Sequence, residues 1–161
     1  MAKIVDEQIE SSVLGASYPA WKIALLGAIL GVFYWALTAF ISRYVIESLL
    51  CGPNGDIEAC ANPVVLAGNI STILVAVAGL FIMVRMRLAQ PLLVVIASAI
   101  SLWGLSQWTN GLFWLEAVAW SVLLYALAYS AFVWVTRHRN TAHALIIVIA
   151  IVILVRLAAI L

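Results

Sequence analysis

The chain has 161 residues, 66% of them hydrophobic and 9% charged, with eight Lys/Arg against seven Asp/Glu. About a quarter of the residues of a soluble domain are charged, so this chain has too little polar surface for a water-soluble globule and belongs to the membrane class. A net charge of +1 argues against nucleic acid as a partner. The polar remainder is tails and loops too short to bury a core of their own, which leaves one membrane domain over 1–161.

Residues 1–21 read as a cytoplasmic tail. Met1-Ala2-Lys3 is followed by Asp6, Glu7 and Glu10, where a secretory signal would carry a basic stretch and then an apolar one. The first span is expected to act as an uncleaved start-transfer segment. Val5, Ile9 and Val13 share one helical face, so the tail is either a short amphipathic helix at the inner surface or a frayed end.

Five apolar segments follow, over about 22–50, 63–84, 91–108, 112–135 and 142–161. Each has roughly the 17–25 residues that cross hydrocarbon as a helix, or more. The first is long enough to project past the bilayer. The expected fold is therefore an all-α, polytopic bundle of five transmembrane helices. Pro63 and Pro91 sit where a helix can begin without losing a hydrogen bond, and Thr109-Asn110-Gly111 reads as a tight turn.

Charge sets the orientation. Lys3 and Lys22 precede span one, Arg85 and Arg87 follow span two, and Arg137 and Arg139 follow span four, all on one side of a five-span arrangement. The other side has Arg43 with Asp56 and Glu58. The positive-inside rule puts the N-terminus in the cytoplasm and the C-terminus outside. Tyr18, Trp21 and Trp134 at the inner level, with Trp108, Phe113 and Trp114 at the outer, fit the aromatic belts.

The outer loop, 51–62, holds the only two cysteines. Cys51 and Cys60 flank Pro53-Asn54-Gly55, a strong turn signal, and an even pair on an oxidising side reads as a disulfide. The loop is similar to those of membrane thiol oxidoreductases of the vitamin-K-epoxide-reductase and disulfide-bond-formation types. Those proteins relay electrons between two cysteine pairs, and this chain has one pair and no Cys-x-x-Cys. Asn54, Asp56 and Glu58 lack the spacing of a calcium loop and read as a solvated tip. Asn69-Ile70-Ser71 matches a glycosylation sequon but lies inside span two.

Helices in lipid associate through close approach and polar contacts. Span one carries Gly27 and Gly31 in a GxxxG pattern. Asn69, Thr72, Ala76 and Gly79 share a face of span two, as do Ala97, Ser101 and Gly104 on span three. Ala117, Ser121 and Ala128 lie along span four. These stripes pack the bundle internally; the competing reading sets Gly27 and Gly31 against a second copy.

Glu116 and Arg156 are the two charged residues well inside apolar runs, and such residues usually face a partner or a wet cavity. Counting about 1.5 Å per residue, Glu116 lies about 11 Å and Arg156 about 7 Å outward of their spans' midpoints. Asn69 falls at similar depth. Three readings stand: a structural ion pair joining spans four and five, an Arg156 that snorkels to the outer headgroups, or a site for substrate, ion or anionic headgroup. His138 and His143 are five apart with no carboxylate beside them, so no metal site is expected. No catalytic or cofactor motif is visible.

The expected function is that of a non-enzymatic accessory or assembly subunit of the plasma (cytoplasmic) membrane, acting through helix contacts with other membrane proteins or a second copy, in the lipid bilayer and without a cofactor. The alternatives are a transporter or channel subunit with an outward-facing polar pocket at Glu116 and Arg156, and a membrane enzyme acting on lipid or quinone.

Overall fold

Hydrocarbon offers backbone N–H and C=O groups no hydrogen-bond partner, so apolar stretches of this length satisfy themselves as helices. The computed structural model describes residues 20–51, 60–88, 90–138 and 146–154, and every regular element among them is helical. Helix α1 is Ala20–Phe40 and runs directly into a π-helical segment, Ile41–Leu50. Then come α2 (Pro63–Arg85), α3 (Pro91–Ser101), α4 (Leu105–Thr109) and α5 (Trp114–His138). A last helix, α6, covers 146–154.

Among the described residues, three stretches are long and apolar enough to cross a membrane: Ala20–Ser48, Pro63–Arg85 and Trp114–Thr136. The third expected span differs. It starts at Pro91, as read from the proline, but is broken: α3 stops at Ser101 and α4 starts at Leu105. The cause is Gly104, whose φ of +87° is a conformation only glycine adopts without strain. The fifth expected span is seen as α6 alone. Arg156, His143, Arg139, the acidic loop tip and the N-terminal tail all lie outside the described residues.

Contacts run in a ring. Helix α1 lies between α5, its most extensive partner, and α2; α3 touches both α2 and α5 and closes the circuit. Val148 of α6 is buried in the same core, with Ile147, Ile151 and Val152 packed against it. The α1–α5 seam is close enough for backbone contact. A Cβ on Gly27 would lie 2.7 Å from the Tyr125 carbonyl oxygen, and one on Gly31 2.6 Å from that of Ser121. The glycine stripe of α1 thus faces α5 of its own chain.

The turn between α2 and α3 is tied by two backbone hydrogen bonds. Leu88 N–H donates to the Met83 carbonyl at 3.3 Å, and Arg87 N–H to that of Val84 at 3.0 Å. This is the Schellman arrangement that closes a helix end, and it needs a left-handed residue, here Arg87 with φ +52°. At the other end of α2, Cys60 is joined to Cys51 by a disulfide with a Cα–Cα distance of 5.5 Å. The bridge ties the end of the π segment to the start of α2, and it fits an oxidising environment on that side.

Candidate functional site

The interior of the bundle is lined by hydroxyls rather than charges. Thr38, Ser42, Ser71, Thr72, Ser98, Ser106 and Ser121 are its buried polar side chains, and none of the buried residues among those described is ionised at neutral pH. Several hydroxyls donate to carbonyls of their own helix, as Thr72 does to Gly68 at 2.9 Å and Ser121 to Ala117 at 2.7 Å. The hydroxyls of Ser71 and Ser98 are buried with no hydrogen-bond partner among the described residues.

Three tyrosines run through this interior. Tyr34, Tyr125 and Tyr129 are all almost fully buried. Tyr34 and Tyr125 rings lie 5.3 Å apart, and Tyr125 and Tyr129 are stacked at 6.3 Å. The Tyr34 hydroxyl and the Ser106 side chain meet over Gly68, and the Tyr129 hydroxyl sits over Gly79. A side chain at either glycine would take the space these polar tips occupy. Reading aromatics as belt residues misses these three. The signal was available: a tyrosine in mid-span must turn its hydroxyl away from lipid.

Of the sequence-derived site residues, Asn69 lies on α2 and Glu116 on α5. Glu116 is exposed and lies in the first turn of α5. From the midpoint of Trp114–Thr136 it is nine residues out, about 14 Å against a half-thickness of about 15 Å for the hydrocarbon. The count from the expected span is about 11 Å; Glu116 stands at a helix N-terminus, which favours negative charge. Its expected partner, Arg156, lies outside the described residues. Asn69 is half-buried on α2, and its side-chain oxygen has no hydrogen-bond partner among the described residues. A Cβ at Gly104 would meet only the Gln107 side chain within 4 Å, at 3.9 Å.

The break at Gly104 opens a cleft of about 430 Å³ on the side of the bundle. One wall is the break and α4, with Ser101, Trp103, Gln107 and Trp108. The other is α5, through Leu124, Leu127, Ala128, Ala131 and Phe132, and Ile151 of α6 contributes to the lining. Irregular backbone at membrane depth is tolerated where protein covers it or where it lines a cavity, and here it lines one. The size and the mostly apolar lining with a few polar groups are those of small-molecule sites. Trp103, Trp108 and Leu127 are exposed, so the cleft opens outward from the bundle. The Ser101 hydroxyl on its wall is buried and without a partner among the described residues.

Comparison of the chain with known protein families, curated proteins and solved structures finds no match to any of the three.

Proposed function

We propose that this chain is a non-enzymatic integral membrane protein, an accessory or assembly subunit that acts through helix contacts. The carrying observation is where its polar groups lie. Among the described residues the buried side chains of the bundle interior are apolar groups, hydroxyls and tyrosines, with no charge among them. Large apolar side chains, among them Phe81, Leu127, Trp134 and Leu154, are exposed instead. In a membrane such faces meet lipid tails or the helices of another protein.

The bundle has five spans in this reading, with the N-terminus in the cytoplasm and the C-terminus outside in the plasma membrane. The positive-inside charges support it, as does a disulfide at the end of the first span. Extraction in a mild detergent should recover the chain with stoichiometric membrane partners; a chain recovered alone under every mild condition would refute the subunit reading. A reporter fused to the C-terminus should be active only if it folds outside.

A transporter or channel subunit is the second reading, and the break in span three favours it, because transporters build their sites from discontinuous helices. Solute flux in liposomes would support it. The position of Glu116 at the start of α5 counts against a buried ion site there.

A further inference from the structure

We propose that the cleft at the Gly104 break is a binding site for an uncharged amphiphile: a lipid whose small head carries a carbonyl and whose tail is apolar. The cleft has two chemically distinct parts. Its α5 wall is purely apolar, with Ala128 and Ala131 making room between Leu124, Leu127 and Phe132. Its opposite wall carries the Gln107 amide, folded back toward Gly104, and Ser101, whose hydroxyl is itself buried and has no hydrogen-bond partner among the described residues. The exposed amide both donates and accepts, so this wall suits a carbonyl or hydroxyl head. The described residues lining the cleft include no Lys, Arg, Asp or Glu. A charged head placed there would be desolvated without compensation, which selects against phospholipids.

Trp103 and Trp108 stand at the opening. Their rings can stack on a planar head, and they give the site an optical readout. Quinones and diacylglycerols both have this head-and-tail chemistry, and the experiment separates them.

The full chain is placed in phosphatidylcholine nanodiscs. A decyl-substituted benzoquinone is titrated while tryptophan fluorescence is followed, and dioctanoylglycerol is tested as a competitor. Saturable quenching is expected, and it should shrink when Trp103→Phe and Trp108→Phe are combined. Ala128→Phe fills the cleft and should abolish saturation. Gln107→Leu changes an exposed side chain and should weaken binding roughly three- to tenfold, the loss of one hydrogen bond. Competition by dioctanoylglycerol assigns the site to carbonyl lipids in general, and lack of competition restricts it to quinones.

Three results would overturn the proposal. One is quenching that never saturates. Another is binding unchanged in Gln107→Leu or in a folded Ala128→Phe chain. The third is displacement of the quinone by dodecane or phosphatidylglycerol as effectively as by itself, since neither has an uncharged polar head. Because Gln107 is exposed, its variant still decides the matter if Ala128→Phe fails to fold.

Discussion

Two charged side chains show how position decides cost at the scale of single residues. Glu116 looks expensive in a string of letters because apolar residues flank it on both sides. In the fold it is exposed in the first turn of α5, where the helix dipole favours an anion. Glu116→Gln should therefore change the thermal unfolding free energy by no more than about 1 kcal/mol. A loss several times larger would show that the carboxylate has a buried partner. Arg87 is the opposite case. A left-handed backbone costs a residue with a Cβ about 1–2 kcal/mol, and the α2 terminus requires one there. Arg87→Gly should raise stability by about 1 kcal/mol in detergent unfolding, whereas Arg87→Ala, which keeps the strain, should not. The same substitution removes one of the basic residues that favour a cytoplasmic location for this turn. In the proposed orientation, charge at Arg87 serves topology at the expense of local conformation.

Elements were legible in the sequence where one physical requirement dominated. The starts of α2 and α3 at Pro63 and Pro91 follow from proline's missing N–H and fixed φ. The GxxxG stripe announced close approach, and the structure puts it against α5. Which helix would receive it was not legible, because small-residue stripes occur on several spans and none specifies its partner. The break in span three was hidden for a related reason. Gly104 extended the spacing of Ala97 and Ser101, so it read as a packing position, and a positive φ leaves no trace in spacing. The cleft depends on that break and was equally hidden. Gly31→Leu tests the seam: its side chain would run into the α5 backbone at Ser121 and Val122. Such overpacking typically costs about 1–3 kcal/mol, and more where backbone is the obstacle. Thermal unfolding of Gly31→Leu should show at least that loss, while Leu at the exposed neighbour Val32 should leave stability near wild type.

For the molecule as a whole, the disulfide lies where two spans emerge on the same side. Cys51 and Cys60 close a ring of about ten residues, for which chain entropy gives roughly 2.7 kcal/mol. A Cys51→Ser, Cys60→Ser chain should lose about that much in unfolding free energy, less any strain released. An impermeant thiol reductant should produce the same loss only when added from the outer side. Membrane class and helical architecture were legible from composition, because hydrocarbon leaves helices few alternatives. Depth was not. The distance of Glu116 from its helix midpoint depends on where that helix starts, and Leu112 and Phe113 precede α5 rather than belonging to it.

The α1–α5 seam also bears on the order of events during synthesis. Gly31 and its contacts at Ser121 and Val122 are separated by some ninety residues, roughly 5–20 s of elongation at about 5–20 residues per second. Over that interval the most closely packing face of the first helix has no cognate surface in its own chain. A nascent chain stalled before α5 would present Gly27 and Gly31 to any other small-residue helix in the bilayer, including that of a second unfinished copy. Completion of α5 then acts as an intramolecular competitor that withdraws the face, so pairing between unfinished chains is a hazard of slow translation that disappears once the chain is whole.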